Sequence, residues 1–238
     1  SAASDVYKRQ DLDIAIPGVI DGMRYTRQGQ ACTAGSRVYI HEKIYDKVLD
    51  GAVEKLSKLK MGNALDEKSD IGAIISEEQL KRTLYYMDIA KKNSSTKILH
   101  GGNQSKGGDY KDGFYYEPTL LSGLPVSSPV CQEEVFGPVA CAIPFKSFNE
   151  VMESANDTQF GLSAVLWTKD LSRALQFVDE IEAGFVQVNQ CVAPRANVSY
   201  GGIKMSGLGK EYAFDSMMNH FTQSKTVLIN RGKSNIDV

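Results

Sequence analysis

Residues 28–41 read QGQACTAGSRVYIH and place one cysteine, Cys32, in a loop of small and amide residues that leads into an apolar strand. The flanking Gly29, Ala31 and Ala34 leave room for an electrophile beside the thiol, and backbone N–H groups of such a loop can face a developing negative charge. Cys32 is therefore a candidate nucleophile. The competing interpretation is a small buried hydrophobic residue, which is the commoner role of a free cysteine in a globular chain.

The composition of the chain limits the classes of function. Its 238 residues are enough for one large domain with a sizeable core, and the net charge of -2 comes from interspersed acidic and basic residues. Neither a nucleic-acid partner nor a membrane partner is predicted, because both call for a basic patch. The widely spaced cysteines indicate neither a zinc site nor a disulfide framework, so a reducing, cytoplasmic location is expected. The cysteines are Cys32, Cys131, Cys141 and Cys191.

Hydrophobic periodicity predicts alternating helices and strands. Apolar residues at helical spacing favour a first helix that Gly29 ends, and a Ser76/Gln79 capping pattern opens a third. Pro118 argues against a central strand within residues 115–121. The predicted helices cover residues 11–28, 44–61, 76–93, 147–156 and 170–181. The predicted strands cover residues 38–40, 97–100, 139–145, 162–168, 185–189 and 224–230.

Strands that alternate with helices of this length predict right-handed βαβ units and an α/β fold with a parallel sheet covered on both faces. In such sheets the reactive groups usually lie in loops at the carboxyl ends of strands. Asn189 follows an apolar strand. We therefore expect Asn189 to lie at the functional edge of the sheet.

Three sequence blocks resemble those of one enzyme family. The string GQACTAGSR at residues 29–37 is similar to the active-site segment Gly-Gln-x-Cys-x-Ala-Gly-x-Arg of the NAD(P)-dependent aldehyde dehydrogenases. EEVFGP at residues 133–138 and SYGGIKMSGLGKE at residues 199–211 follow in the family's order, with Ser199 and Tyr200 in place of Pro-Phe. The resemblance implies a parallel-sheet catalytic domain of the aldehyde dehydrogenase type, acting on a small to medium aldehyde.

The resemblance also assigns roles to individual residues. Cys32 would be the catalytic nucleophile, giving a thiohemiacetal and, after hydride transfer to NAD or NADP, a thioester that water hydrolyses. Glu134 would accept hydrogen bonds from the nicotinamide ribose, and Phe136 would lie beside the same nucleoside. The substrate pocket would be lined by Gln190, Cys191, Val192 and Tyr200.

The resemblance covers residues 11–232 and corresponds to roughly the carboxyl-terminal half of such an enzyme. Residues 1–10 match nothing in the family's pattern and are expected to be foreign or misread sequence. Residues 11–222 would form the catalytic domain, and residues 223–238 an oligomerisation strand and tail that joins a homo-oligomer, a dimer or a tetramer. An amino-terminal cofactor domain is expected to be absent from the chain.

The chain contains no Glu-Leu-Gly-Gly string for the family's general base and no glycine-rich dinucleotide turn. We therefore expect the chain alone to have little or no dehydrogenase activity. Two alternatives stay open. The chain could be a truncated, non-catalytic binding or oligomerisation module, or part of a CoA-acylating aldehyde dehydrogenase in which CoA receives the acyl group.

Overall fold

The computed structural model describes the backbone of residues 2–4 and the full residues 12–229. The strands are β1 Ala2–Ser4, β2 Arg37–His41, β3 Lys97–His100, β4 Gln104–Ser105, β5 Tyr115–Tyr116, β6 Thr119–Ser122, β7 Val139–Phe145, β8 Phe160–Gly161, β9 Ser163–Trp167, β10 Phe185–Val188 and β11 Ile203–Lys204. The helices are α1 Leu12–Gly22, α2 Tyr45–Leu56, α3 Glu77–Lys92, α4 Pro129–Gln132, α5 Phe148–Asn156, α6 Leu171–Glu180 and α7 Phe214–Phe221.

Seven strands form one sheet in the order β10-β9-β1-β2-β7-β6-β3. All neighbours in this sheet run parallel except β3, which pairs antiparallel with β6. Two short antiparallel ladders, β4 with β5 and β8 with β11, lie outside it. The predicted α/β class with a parallel sheet is confirmed.

Helices cover both faces of the sheet because successive residues of each strand point to opposite sides. On β2, Val38 and Ile40 join a buried cluster with residues of α1 and α2. Between them, Tyr39 is fully buried in a second cluster with residues of α3, α5 and α6. Each cluster removes a large apolar area from water, which supplies the main stabilisation of the layered fold.

Side-chain caps start three of the helices where the sequence predicts them. Ser76 accepts a hydrogen bond from the Gln79 N–H at the start of α3, and Ser147 accepts one from the Glu150 N–H at the start of α5. Asp170 caps α6 in the same way. Each bond satisfies a backbone donor that has no partner within its helix, so the cap fixes where the helix begins.

The first helix is shorter than predicted. α1 ends at Gly22, not at residue 28, and a 3₁₀ turn, Tyr25–Arg27, follows it. Arg24 and Gln28 flank this turn with φ of 58° and 57°, in the left-handed region that an α-helix cannot include. Helical spacing of the apolar residues therefore continues past the point where the backbone has left the helix.

The prediction from Pro118 is also corrected. β6 begins one residue after Pro118 and lies inside the sheet, between β3 and β7, with all of its residues buried. Proline lacks a backbone donor, but here it precedes the strand. The first β6 residue, Thr119, can therefore donate its N–H to Pro138 O at 2.8 Å.

The end of the described chain is exposed. α7 has no buried residue, and residues 222–229 form no strand within the described part of the chain. Asn230 and the residues after it lie outside the described residues, as do residue 1 and residues 5–11. The oligomerisation strand at residues 224–230 stays a prediction. Among the described residues, no helix is long and apolar enough to cross a membrane.

Candidate active site

A cavity of about 320 Å³ opens at the amino ends of β2, β7, β9 and β10. Cys32, Glu134 and Phe136 all line it. The expectation that reactive groups gather at the carboxyl ends of the strands is therefore wrong for this sheet. Cys32 lies in the loop that leads into β2, and residues 133–137 lead into β7, so both functional blocks precede their strands.

Cys32 is exposed, and its loop is fastened at both sides. Gly35 donates its N–H to Gly22 O at the end of α1, at 2.9 Å. Ser36 O accepts the N–H of Cys141 on β7 at 2.8 Å. Within residues 2–4 and 12–229, no group accepts a hydrogen bond from the backbone N–H of Cys32, so this donor is available to a ligand.

The two glutamines before Cys32 hold the loop against other segments. The buried Gln28 side chain donates to Gly72 O at 2.6 Å and to Tyr116 O at 3.3 Å. Gln30 Oε1 accepts the N–H of Ile75 at 3.0 Å. The amides in the QGQ motif therefore position Cys32 and do not reach the cavity themselves.

Gly29 brings the nucleophile loop against the second functional block. Its φ is 64°, and a Cβ on Gly29 would overlap the carbonyl group of Gly137. Phe136, next to Gly137, also has a left-handed backbone, with φ of 54°, and its ring is 36% exposed at the cavity. A glycine at position 29 therefore permits the contact that makes Cys32 and Phe136 share one cavity.

Three side chains of α3 hold the second block in place. Gln79 donates to Val135 O at 3.0 Å and to Phe136 O at 2.9 Å. Arg82 donates through Nε and Nη2 to Glu134 O, and its guanidinium lies 5.4 Å from the Tyr86 ring centroid. From the sequence, Gln79 was singled out only as part of a helix cap, and Arg82 and Tyr86 were not singled out at all. Their i, i+3, i+7 spacing on one helix face was the available signal.

The two adjacent acids, Glu133 and Glu134, have different environments. The Tyr86 hydroxyl donates to Glu133 Oε2 at 2.7 Å, and burial together with this bond raises the pKa of Tyr86 to about 12. No described residue pairs with the Glu134 carboxylate, which is exposed at the cavity. Two unpaired acceptor oxygens suit a ligand with two neighbouring hydroxyl groups, such as a ribose.

Tyr200 contacts the nucleophile directly. Its hydroxyl lies 3.2 Å from Cys32 Sγ. Its ring makes edge contacts with Phe185 at 5.3 Å and Tyr212 at 5.7 Å between centroids, and its backbone pairs with Glu211. Burial, followed by the neighbouring Cys32, raises the pKa of Tyr200, so the phenol stays protonated at neutral pH.

None of the four predicted substrate-pocket residues is among those that line the cavity, although Tyr200 reaches Cys32 through its hydroxyl. The other three are Gln190, Cys191 and Val192. Cys191 packs against the buried cluster of α1 and α2, and burial raises the pKa of its thiol. Val192 donates its N–H to Gln187 Oε1 at 2.9 Å. Their role in substrate binding stays a prediction.

Close backbone contacts around the third block depend on Gly184 and Gly201. A Cβ on Gly184 would overlap the carbonyl of Gly201, and one on Gly201 would overlap the Gly209 carbonyl oxygen. Lys210 Nζ donates to Gly201 O at 2.7 Å. This packing sets residues 200–202 beside the start of β10 and so helps place Tyr200 over Cys32.

Asn189 lies at the carboxyl ends of β9 and β10, at the end of the sheet away from the cavity, and its contacts there are structural. With φ of 54°, it accepts the Thr168 N–H at 2.8 Å and donates to Thr168 O at 2.6 Å, joining the ends of β9 and β10. Asn189→Ala should lower the free energy of unfolding by about 2–3 kcal/mol, since two hydrogen bonds are lost and alanine disfavours this backbone. Chemical denaturation measures the loss.

Asn197→Ala is the matched control, because Asn197 has φ of 64° and is exposed. Asn197→Ala should lower the free energy of unfolding by about 1 kcal/mol, because only the left-handed backbone disfavours alanine there. Cys32 alkylation should proceed at the native rate in folded Asn189→Ala. A slower rate in that variant would show that Asn189 acts on the site after all.

Fold and site together define an α/β protein with an exposed cysteine at the amino ends of a parallel sheet, beside an unpaired carboxylate. The sequence model that describes the aldehyde dehydrogenase family matches residues 2–227 of the chain. This range begins within residues 1–10, so the similarity reaches further toward the amino end than the three motifs indicate. The chain belongs to the aldehyde dehydrogenase family.

Individual relatives agree with this assignment. An aldehyde dehydrogenase of Deinococcus radiodurans is 39% identical over 227 residues, covering 94% of the chain and 43% of the relative. Aldehyde dehydrogenase B of Escherichia coli is 38% identical over 202 residues, covering 85% of the chain and 39% of the relative. The NAD+ complex structure of aldehyde dehydrogenase from Bacillus cereus superposes with a TM-score of 0.89 at 31% identity. The match covers 98% of the chain and 46% of that protein. The chain thus spans less than half the length of these proteins.

Proposed function

We propose that the chain is the nucleophile-bearing part of an enzyme that oxidises an aldehyde to a carboxylic acid with a nicotinamide dinucleotide. The observation that carries this proposal is one cavity lined by the exposed Cys32, the unpaired Glu134 carboxylate and the Phe136 ring. A nucleophile and a diol-binding acid in one cavity suit a reaction between a carbonyl compound and a nucleoside cofactor.

Cys32 Sγ, as the thiolate, attacks the aldehyde carbon and forms a thiohemiacetal. The carbonyl oxygen becomes an oxyanion, and the unpaired backbone N–H of Cys32 can donate to it. Gly29, Ala31 and Ala34 line the cavity around the thiol and leave space for the aldehyde. These small side chains set no strong size limit on the substrate at the point of attack.

The cofactor part of the proposal rests on residues 134–136. The Glu134 carboxylate would accept hydrogen bonds from the two ribose hydroxyls, and the Phe136 ring would lie beside the nucleoside. A bound nicotinamide dinucleotide would supply the acceptor for the hydride that converts the thiohemiacetal into a thioester. Gln79 and Arg82 would keep the binding turn in place through its backbone carbonyls.

Little or no dehydrogenase activity is expected of the chain by itself. In the described part of the chain, Tyr200 is the only side chain at hydrogen-bond distance from Cys32 Sγ. A phenol that stays protonated cannot serve as a general base for the hydrolysis of a thioester. In this proposal the base is supplied by a segment other than the described residues.

Alkylation of the native chain tests the nucleophile. One equivalent of iodoacetamide at pH 7 should modify Cys32 before the other three cysteines, as read by peptide mapping. Cys131 and Cys141 are only 4% and 2% exposed, and Cys191 is half-buried. A hydrogen bond from Cys141 lowers the pKa of Cys131, so burial is what protects Cys131. Equal or preferential labelling of another cysteine would overturn the proposal.

Ligand protection tests the cofactor part. Nicotinamide mononucleotide, which carries the ribose hydroxyls, should slow Cys32 alkylation about twofold at a concentration equal to its Kd. Glu134→Gln should remove this protection, because it takes away the charge and one acceptor oxygen. Glu133→Gln is the matched control and should keep the protection, since Glu133 binds Tyr86. Protection that survives Glu134→Gln would exclude Glu134 as the ribose ligand.

The carboxyl-terminal residues support a homo-oligomer as part of the same proposal. Val227, Leu228 and Ile229 are 60%, 92% and 76% exposed, although all three are apolar. A run of exposed apolar residues suits pairing with a second copy of the chain.

A further inference from the structure

We propose that the Tyr200 hydroxyl is a catalytic hydrogen-bond donor that holds the Cys32 thiolate ready for attack. This inference rests on the proposed role of Cys32 and adds a second group to the nucleophilic site. The family pattern has phenylalanine where this chain has Tyr200. The family pattern itself therefore does not supply this donor.

The distance between the two groups supports the proposal. Tyr200 Oη and Cys32 Sγ are 3.2 Å apart, which is close for a hydrogen bond that involves sulfur. Either atom could donate in the neutral pair. Once Cys32 is a thiolate it has no proton to give, so the phenol must donate. Hydrogen bonds to an ionised acceptor are about twice as strong as neutral ones.

The surroundings of Tyr200 keep the hydroxyl both in place and protonated. Its backbone exchanges two hydrogen bonds with Glu211, at 2.9 Å and 2.7 Å, and its ring lies between Phe185 and Tyr212. Burial raises the pKa of Tyr200, and Glu211 and Tyr212 act in the same direction. The hydroxyl therefore remains a donor at neutral pH.

Other charged groups share the cavity but do not touch the thiol. They are Arg37, Glu133, Glu134 and Glu182. Arg37 donates to Tyr39 and to the backbone carbonyls of Ser154 and Ala155, away from Cys32. No cationic side chain among the described residues lies within hydrogen-bond distance of Cys32 Sγ. Tyr200 is thus the donor from which a thiolate can gain stabilisation.

The pH profile of Cys32 alkylation in Tyr200→Phe tests the proposal. A hydrogen bond from Tyr200 that raises the thiolate population of Cys32 about tenfold also makes each thiolate a weaker nucleophile. With a Brønsted coefficient of about 0.4–0.5, the nucleophilicity falls about threefold. In Tyr200→Phe, the rate of Cys32 alkylation at pH 7 should fall about threefold, because less thiolate is present. The plateau rate at pH 10 should rise about threefold, because no hydrogen bond needs to break. The two profiles should cross.

Tyr110→Phe is the matched control. It removes a tyrosine hydroxyl that donates to Met61 O, away from Cys32 and Tyr200, so its profile should coincide with that of the native chain. A merely structural role for Tyr200 would shift the rate in one direction at every pH. A Tyr200→Phe profile without a crossing therefore overturns the inference. Loss of preferential labelling at Cys32 in the native chain would instead overturn the proposed function.

Discussion

Gly29→Ala is expected to lower the free energy of unfolding by about 2–4 kcal/mol. Alanine with φ of 64° costs about 1 kcal/mol, and overlap of its Cβ with the Gly137 carbonyl adds about 1–3 kcal/mol. For a chain of this size the loss corresponds to a fall in Tm of about 5–15 °C, which thermal unfolding followed by circular dichroism measures. The turn at residues 136–137 must also move, so protection by nicotinamide mononucleotide should disappear.

Gly108→Ala separates the two contributions. Gly108 has φ of 52°, and a Cβ there would meet nothing within 4 Å. This variant should cost only about 1 kcal/mol, the price of the left-handed backbone. If both variants lost the same stability, the contact between Gly29 and Gly137 would not constrain the site.

The largest kinetic effect is expected from Cys32→Ser. An activated ester such as p-nitrophenyl acetate should acylate the native chain, since a thiolate displaces nitrophenolate and forms a thioester. Serine at position 32 has no base within reach, so the acylation rate should fall by about 10³-fold or more. Stopped-flow absorbance at the start of the reaction should show a burst of about one nitrophenolate per native chain, absent in the variant.

Cys191→Ser is the appropriate comparison for that experiment. Cys191 is half-buried among apolar residues and should contribute nothing to the burst. A burst that persists in Cys32→Ser would place the reactive thiol elsewhere. The acyl protein isolated after the burst also allows water and CoA to be compared directly as acyl acceptors.

Much of the fold follows from local sequence signals. Strand β7 lies at residues 139–145 as predicted, because a continuous apolar run bounded by turns has few alternatives. Ser76, Ser147 and Asp170 start helices where their side chains can cap them. The end of α1 was mispredicted because the left-handed backbone of Arg24 and Gln28 leaves no trace in hydrophobic spacing. Only glycine and asparagine commonly adopt the left-handed region, so only they indicate such a conformation in a sequence.

The site was less accessible to sequence reasoning. The motifs indicate Cys32 and Glu134 but not the edge of the sheet at which they meet, since the usual preference for carboxyl ends is reversed here. The contacts of Arg82 with Glu134 O and of Tyr200 with Cys32 join residues that are far apart in the chain. The spacing of Gln79, Arg82 and Tyr86 places them on one helix face, but local spacing does not identify the distant residues that they contact. Apart from the family resemblance, nothing in the sequence distinguishes Glu133 from Glu134, whereas the structure shows that Tyr86 binds only Glu133.

The location of the cavity at the amino ends of the strands also determines its electric field. In a βαβ sheet those ends receive the carboxyl termini of the preceding helices, and α1, α5 and α6 all finish beside the cavity. Each helix carries about half a negative charge at that terminus. A cationic ring is therefore favoured there over a neutral one. Under the proposed function, the oxidised nicotinamide ring is positively charged and the reduced ring is neutral, so this field would favour retention of the oxidised cofactor over the reduced one.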